Sequence, residues 1–284
     1  MIPQLIIQSD LTHSDCRIQK ARIHENSQKW LDDKGDALAY GFSRQGYNYL
    51  YIINTALFQF TEDQKNVVAF TFGHTSRELI YDIYYRNVLP LILQMNGKEV
   101  IHASAVKTGD QITVFCAKSG TGKSTLAYGL AKRGYELCAD DAVAIEIIKH
   151  TILAVPLPFR IRLLPDSRTF FSNSRNSNVN PPSVVRRSFQ IKDKLPLKSI
   201  CFVNKVEETF EFNKTNFVEK QNPINGFSDL LSHAYVYQMK DLRIKRRMME
   251  NYLDIANNIP LYRINYPHNF DLFSSVLDKI EEII

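Results

Sequence analysis

Short apolar runs alternate with charged or turn-rich pieces through the first quarter of the chain. The apolar runs LIIQ, ALAYGF, YNYLYII, ALFQF and VVAFTF are separated by DDKGD, SRQG and TEDQKN. Apolar runs of strand length between such turn signals are typical of antiparallel strands. The pattern therefore predicts a small N-terminal β-rich domain over residues 1–74.

The hydrophobic spacing then changes to that of a helix. Thr75 and Ser76 are candidate N-caps, and Pro90 predicts a kink or a division in two because proline lacks a backbone N–H. The pattern favours a connecting helix over residues 75–98. Its apolar positions are Ile80, Ile83, Tyr84, Val88, Leu91, Ile92 and Met95.

Strands and helices are mixed in the remainder of the chain, residues 99–284. EVIHASAV and ITVFCA are predicted strands joined by a Thr-Gly-Asp turn. A glycine loop, a helix over 124–133 closed by Gly134, and a further strand in YELCADDAVAIEII follow. LPLKSICFV predicts another strand, and the terminal DLFSSVLDKIEEII predicts an amphipathic closing helix. This order indicates a larger α/β domain.

One segment of this domain is too polar for a core element. Residues 165–188 read PDSRTFFSNSRNSNVNPPSVVRRS and are rich in Ser, Asn, Arg and Pro. Such composition is typical of a surface loop. We expect a plain flexible insertion; the alternatives are a mobile lid and a set of serines that become phosphorylated.

Composition excludes several classes of protein. Apolar residues make up 44% of the chain and charged residues 23%, which is typical of a soluble globular protein. The balance of 35 Lys+Arg against 30 Asp+Glu gives +5, which suits an anionic ligand such as phosphate. The aromatic residues lack the basic interleaving of a nucleic-acid platform, so no nucleic-acid partner is expected.

The chain carries no sequence signal for export or membrane insertion. No stretch reaches the roughly 18 apolar residues of a membrane span, and the N-terminus does not resemble a signal peptide. The four cysteines, Cys16, Cys116, Cys138 and Cys201, lack C-x-x-C spacing, which argues against zinc and against a disulfide framework. We expect a cytoplasmic protein with reduced thiols and no membrane partner.

The glycine loop AKSGTGKST, residues 117–125, carries the strongest chemical signal. Gly120 and Gly122 allow backbone N–H groups to converge on phosphate oxygens, Lys123 places a charge on the β- and γ-phosphates, and Ser124 offers a hydroxyl to Mg²⁺. Ala117 stands where the usual P-loop pattern has its first glycine. The predicted nucleotide-binding residues are Ser119, Gly120, Thr121, Gly122, Lys123, Ser124 and Thr125.

Carboxylates and a histidine flank this loop in the sequence. Asp140 and Asp141 end a strand, where neighbouring side chains point different ways and can divide between a metal and a proton. His102 lies on the strand that precedes the loop strand, so it faces the same phosphates if the two strands are neighbours. A histidine in an apolar strand is more often structural, and both interpretations stay open on this evidence.

Basic residues after the Asp-Asp pair are weaker candidates. Arg160 and Arg162 alternate on a predicted strand and suit a phosphate or carboxylate clamp. The clusters at 186–187 and 240–247 are of the kind that usually forms a solvated face.

Three motifs together resemble one known family. VIHASAV, AKSGTGKSTLA and RGYELCADD match the HPr kinase/phosphorylase catalytic domain in order and spacing. The resemblance implies a P-loop-containing core like that of HPr kinase and PEP carboxykinase, with ATP and Mg²⁺ as cofactors. It implies that Lys123 holds the nucleotide, that Ser124 and Asp140 hold the metal, that Asp141 is the general base, and that His102 lies near the transferred phosphoryl group.

Outside these motifs the chain is similar to a looser group of HPr-kinase-related proteins that begin with a small domain. That group includes kinases encoded with lasso-peptide or other modified-peptide pathways, which phosphorylate a precursor serine. The resemblance thus implies a serine kinase with a peptide or protein partner, and its hexameric relatives favour a homo-oligomer. The basic segment used for the phosphorylase reaction is not recognisable here, so the reverse activity is not expected.

Two other functions fit the same motifs. A kinase for free serine or a sugar-like hydroxyl would use the same five residues. A non-catalytic module would bind a peptide through its N-terminal domain and respond to nucleotide by a conformational change.

Overall fold

The structure, a computed structural model, falls into two compact units. It describes residues 3–12, 15, 18, 27–31, 34–61, 66–149, 151–161, 163–173, 185–187, 194–206, 217–236, 241–267 and 269–284. The units are Met1–Asn96 and Gly97–Ile284. The first unit holds a sheet and the helical segment after it, and the second holds the glycine loop.

The first unit contains a six-stranded sheet in the order β1-β6-β5-β4-β3-β2. Strands β2 to β6 pair as antiparallel neighbours, but β1 pairs with β6 in parallel, which corrects the fully antiparallel prediction. Apolar alternation fixes which face of a strand is buried and leaves the direction of its partner open. The strands are β1 Gln4–Gln8, β2 Gln28–Leu31, β3 Ala37–Arg44, β4 Tyr47–Ile52, β5 Ala56–Phe60 and β6 Asn66–Thr71.

The predicted helix after this sheet is divided in two. Helix α1, Arg77–Ile83, passes through a π-helical turn, Tyr84–Val88, into α2, Leu89–Met95. Ser76 caps α1, since its side chain accepts a hydrogen bond from the Leu79 amide at 3.2 Å. Pro90 stands in the first turn of α2, where its missing N–H is tolerated. The Ser76 cap is confirmed, and the α-helical pattern is interrupted by the π-helical turn before Pro90 and not at the proline itself.

The second unit is built on a sheet in the order β10-β8-β9-β15-β12-β11-β7, with β17 pairing β15 and β16 pairing β17. Strand β15 pairs in parallel with both β9 and β17. A separate pair joins β13 and β14. The strands are β7 Glu99–Ile101, β8 Ala103–Thr108, β9 Gln111–Cys116, β10 Glu136–Ala139, β11 Val143–Ile148, β12 Thr151–Val155, β13 Phe159–Ile161, β14 Val185–Arg187, β15 Leu195–Val206, β16 Val218–Lys220 and β17 Leu261–Pro267.

Helices cover both faces of this sheet. On one face, Val114 of β9 packs in a core with residues of α5 and α6. On the other, Phe115 packs with residues of α3, α4 and α7. The helices are α3 Lys123–Lys132, α4 Pro165–Asn173, α5 Pro223–Ser232, α6 Leu242–Asn258 and α7 Phe273–Glu281. The protein is therefore a mixed α/β protein with a large sheet in each unit.

One predicted strand is interrupted at a residue of functional interest. EVIHASAV forms two strands, β7 and β8, because His102 leaves the ladder between them. The His102 amide instead donates to the His233 carbonyl at 2.7 Å. The break lets β7 pair with β11 while β8 pairs with β9 and β10.

The segment predicted as a surface loop, 165–188, begins as a helix. Pro165 stands in the first position of α4, and Phe171 is buried against Tyr128 of α3. The high Ser and Asn content of this segment predicts a loop and does not indicate this apolar contact. Residues 185–187 form β14, and residues 174–184 and 188 lie outside the described part of the chain.

Three of the four cysteines lie in the described part of the chain. Cys116, Cys138 and Cys201 are buried free thiols, and Cys16 lies outside the described residues. In the described part of the chain, no helix has both the length and the apolar character needed to cross a bilayer.

We expect Gly129→Ala to destabilise the second unit by about 1–3 kcal/mol through overpacking. A methyl group there would lie 2.7 Å from the Phe273 ring and 3.0 Å from Leu277, so α3 and α7 must separate. Urea unfolding measures the loss. The double variant Gly129→Ala/Phe273→Leu should recover part of it, and equal stability of the single variant and wild type would contradict the packing.

A candidate phosphate-binding site at the end of strand β9

The glycine loop runs from the end of β9 to the start of α3, and both elements are mostly buried. Gly120 and Gly122 have φ of +78° and +111°, which only glycine adopts without strain. The Leu126 amide donates to the Gly122 carbonyl at 2.9 Å and starts the helix. The first amides of α3 therefore border the loop, as an anion site requires.

Ala117 causes no strain in this loop. It is buried at the end of β9, with 1% of its surface exposed, and its φ is not positive. The position therefore does not require a glycine. The departure from the usual pattern is tolerated because the left-handed conformations occur later, at Gly120 and Gly122.

A tyrosine packs against the second glycine of the loop. A methyl group on Gly122 would lie 3.1 Å from the Tyr266 hydroxyl oxygen. Tyr266 is 2% exposed, and this burial raises its pKa to about 12. The loop backbone is thus supported from β17 as well as from β9.

The two aspartates after β10 each contact one side chain at the start of α3. Asp140 Oδ1 accepts a hydrogen bond from Ser124 Oγ at 2.7 Å, and Asp141 Oδ1 lies 3.3 Å from Lys123 Nζ. Ser104 of β8 also donates to Asp140 Oδ1, at 2.5 Å. The consecutive carboxylates therefore have separate partners, as adjacent side chains at a strand end should.

The surroundings of Asp140 suit a divalent cation. Burial, followed by repulsion from Asp141, raises the pKa of Asp140 to about 6, although Lys123 and the two serine hydroxyls oppose the shift. Its Oδ2 atom is buried and has no hydrogen-bond partner in the described part of the chain. An unpartnered carboxylate oxygen beside a serine hydroxyl fits the hard oxygen coordination that Mg²⁺ prefers.

This metal arrangement is incomplete without other ligands. Among the described residues, no group of three or more His, Cys, Asp or Glu side chains is placed to hold a metal. Mg²⁺ is commonly bound by one or two protein oxygens, with water and substrate phosphates completing the octahedron. Ser124 and Asp140 fit that use better than a closed protein cage.

His102 lies beside the aspartate pair because β8 pairs with β10, and beside the glycine loop because β8 pairs with β9. Ala103 of β8 is opposite Cys116 of β9, so His102 stands next to the start of the loop. Its Nδ1 atom is 2.9 Å from the Asp141 carbonyl oxygen. Burial and the nearby Lys123 charge lower the pKa of His102 to about 4, so the ring is neutral at pH 7.

The other predicted residues occupy different surroundings. Ser119 and Gly120 are exposed on the loop and Thr121 is partly buried. The Thr125 hydroxyl is buried and lies 2.9 Å from the Ser167 hydroxyl of α4. Arg160 belongs to β13, and Arg162 lies outside the described residues.

Two residues of the site were not predicted. Ser104 is a fully buried polar residue two positions after His102, and its place in an apolar strand was a usable signal. Tyr235 donates from its hydroxyl to the Asp141 carbonyl at 3.1 Å. It is separated from Asp141 by 94 positions, and no local pattern marks it.

Comparison with known proteins does not assign a function to this chain. No protein-family model matches the chain, and no curated protein matches it. Among solved structures, the Hpr(Ser) kinase/phosphatase from Coxiella burnetii matches with a TM-score of 0.35 and 12% identity, over 64% of this chain and 94% of that chain. A likeness this loose does not assign function, so the functional argument depends on the site itself.

The buried carboxylate of Asp140 predicts a pH-dependent stability difference. Its folded pKa lies above the ordinary value of 3.8, so its ionised form destabilises the fold at pH 8 and this cost disappears as the pH falls toward 4. We expect Asp140→Asn to raise the free energy of unfolding by about 1–2 kcal/mol at pH 8 and to change it little at pH 4. Urea unfolding with EDTA present measures both values.

The exposed Asp278 offers a matched control, since its carboxylate is 61% exposed and pairs with Arg133. Asp278→Asn should give no gain at pH 8. A stability loss at pH 8 in Asp140→Asn, or an equal gain at both pH values, would contradict the assigned cost of burying Asp140.

Proposed function

We propose that this protein is a Mg²⁺- and ATP-dependent kinase that phosphorylates a serine hydroxyl of a peptide or protein. The observation that carries the proposal is the pairing of the loop with the aspartates: Ser124 bonds Asp140 and Lys123 pairs with Asp141. A phosphate loop alone is shared by motors, switches and transferases. The adjacent carboxylates add a metal position and a proton acceptor, which phosphoryl transfer to a hydroxyl requires.

The triphosphate would lie along the loop amides of residues 119–125 and the N-terminus of α3. Lys123 is 7% exposed, so its ammonium group interacts with phosphate in a partly desolvated setting, where a point charge acts strongly. Ser124 and Asp140 would hold Mg²⁺. When bound, that ion neutralises charge on the phosphate oxygens.

Asp141 is the residue we assign to the acceptor. Its carboxylate accepts the proton of the serine hydroxyl while the hydroxyl oxygen bonds to the γ-phosphorus. The bond from that phosphorus to the bridging β–γ oxygen breaks, and ADP leaves with the bonding electrons. Lys123, 3.3 Å from Asp141, is placed to stabilise both the carboxylate and the phosphoryl oxygens.

The acceptor class rests on the sequence resemblance. The motif order from His102 through the loop to Asp141 is similar to that of HPr-kinase-related serine kinases, including those that act on lasso-peptide or other ribosomal peptide precursors. We therefore propose a precursor-peptide serine as the acceptor. Free serine is the competing small-molecule acceptor.

The kinase assignment predicts labelled phosphate on a peptide serine after incubation with γ-labelled ATP and Mg²⁺. The test uses peptides encoded beside this gene, each paired with its Ser→Ala version, and free L-serine in parallel. Lys123→Ala and Asp141→Asn should each reduce transfer by at least about 10²-fold, and EDTA should abolish it.

Lys132→Ala is a suitable control because this lysine ends the same helix, is exposed, and places its ammonium group over the Tyr128 ring. It should transfer phosphate as wild type does. Transfer that survives both Lys123→Ala and Asp141→Asn would exclude the assigned site. Transfer to free serine alone would favour the small-molecule kinase, and ATP binding without any transfer would favour the nucleotide-responsive module.

The loop geometry predicts a separate effect on nucleotide binding. Gly122→Ala must move the loop, because φ of +111° is strained for alanine and Tyr266 blocks the added methyl group. We expect the dissociation constant for Mg-ATP, measured by calorimetry, to rise at least about tenfold.

Gly134 supplies the matched control for backbone strain. Its φ is +102°, and no atom lies within 4 Å of an added methyl group. Gly134→Ala should lose stability but keep its Mg-ATP affinity. Wild-type affinity in Gly122→Ala would show that phosphate does not bind against this loop.

A further inference from the structure

Asp141 adopts a left-handed backbone conformation. Its φ is +68°, in the left-handed region that non-glycine residues seldom occupy. Such residues persist only where their surroundings hold them. Asp141 is also the residue whose carboxylate pairs with Lys123, so its backbone conformation determines where a functional group points.

Two side chains hold the Asp141 peptide from outside its own segment. The carbonyl oxygen of Asp141 lies 2.9 Å from His102 Nδ1 and accepts a hydrogen bond from the Tyr235 hydroxyl at 3.1 Å. A carbonyl oxygen has two lone pairs, and these two contacts suffice to occupy both. The rings of His102 and Tyr235 also lie edge to face, with centroids 6.2 Å apart.

The segment that carries Tyr235 is fixed to the same strand as His102. The Tyr235 amide donates to the Val100 carbonyl at 2.8 Å, and the His102 amide donates to the His233 carbonyl at 2.7 Å. Ala234 forms a bridge with Ile101. The residues after α5 are therefore docked along the end of β7, so His102 and Tyr235 reach Asp141 as one unit.

The contact to a carbonyl fixes the proton on the His102 ring. A carbonyl oxygen only accepts hydrogen bonds, so His102 Nδ1 must carry a hydrogen. Because burial beside Lys123 lowers the pKa of His102, the ring is neutral at pH 7 and its Nε2 carries no hydrogen. At this contact His102 acts through its Nδ1–H group, and the ring needs no positive charge.

We propose that Tyr235 and His102 are positioning residues that hold the Asp141 carbonyl, and thereby orient its carboxylate for phosphoryl transfer. This inference rests on the proposed kinase function. It assigns a role to Tyr235, which belongs to none of the sequence motifs. It also assigns to His102 a role through Nδ1, which needs no contact with the phosphoryl group. Loss of either donor should lower kcat more than it alters the KM for ATP.

Two substitutions at His102 separate the roles of its nitrogens. The amide nitrogen of asparagine can reproduce the Nδ1–H donor, whereas glutamine reaches the Nε2 position and leaves Nδ1 unreplaced. Positioning predicts that His102→Asn retains at least about tenfold more kcat than His102→Gln, with labelled transfer from Mg-ATP to the serine peptide as the assay. The opposite order would overturn the role assigned to His102.

Tyr235→Phe removes the second donor and keeps the ring. We expect kcat to fall about tenfold while the KM for ATP changes less than about threefold. Tyr84→Phe is the control, because Tyr84 is buried in the first unit, outside the unit that holds Asp141, and its hydroxyl donates to the Pro3 carbonyl. It should lose stability and keep kcat, and an unchanged kcat in Tyr235→Phe would overturn the role of Tyr235.

Nuclear magnetic resonance of ¹⁵N-labelled histidine tests the arrangement without any acceptor. The signal of His102 among the 7 histidines is identified by its loss in His102→Asn. At pH 7 it should show a neutral ring protonated at Nδ1, and a neutral ring protonated at Nε2 alone would refute the donation to Asp141. If the wild type transfers no phosphate, the kinase proposal fails, and this spectrum still decides whether His102 donates to Asp141.

Discussion

Three charged side chains share one poorly solvated site, and neighbouring elements of the second unit hold them together there. Lys123, Asp140 and Asp141 are exposed by 7%, 5% and 6%. Removing an ion from water costs roughly several kcal/mol unless close partners offset the cost. The contacts of Asp140 with Ser104 and Ser124, and of Asp141 with Lys123, supply that compensation in part. Two carboxylates against one ammonium leave the cluster short of positive charge, which is the condition that a divalent cation relieves.

The sheet brings these groups together by neighbouring strand ends. Strands β8 and β9 form a hairpin, and β10 pairs with β8, so the residues that follow β9 and β10 emerge at one end of the sheet. Helix α3 returns from that end and presents Lys123 and Ser124 in its first turn. The site therefore needs no long loop to close it. Its precision comes from three short strands and the first turn of one helix.

The phosphate side of the site could be predicted from sequence because its determinants are local. Gly120 and Gly122 have the positive φ that their spacing implied, and the strand, loop and helix follow in the expected order. His102 was placed beside the loop by assuming neighbouring strands, and the pairing of Ala103 with Cys116 agrees. The two aspartates have separate partners, Ser124 and Lys123, and their division between a metal and a proton stays a prediction.

What the sequence did not reveal depends on contacts between distant segments. Tyr235 reaches Asp141 because the residues after α5 dock on β7. The parallel pairing of β1 with β6 likewise depends on contacts between segments far apart in the sequence. The Ser and Asn content of α4 favours a loop, whereas Phe171 is buried against Tyr128, a contact that depends on tertiary packing. Periodicity reports which face of an element is apolar and says nothing of what covers it.

This division separates the residues that build the site from those that surround it. The glycine loop and the aspartate pair lie within residues 117–125 and 140–141, where a change at Gly120, Gly122, Lys123, Asp140 or Asp141 alters loop dihedrals or buried charge. The residues after α5 form backbone hydrogen bonds with Val100 and His102. The Tyr235 hydroxyl also donates to the Asp141 carbonyl. Side chains there can change without disturbing the backbone contacts that dock the segment. Under the proposed kinase function, the position of the Asp141 carboxylate can be kept while side chains after α5 change, since the Tyr235 hydroxyl contacts Asp141 at its carbonyl oxygen.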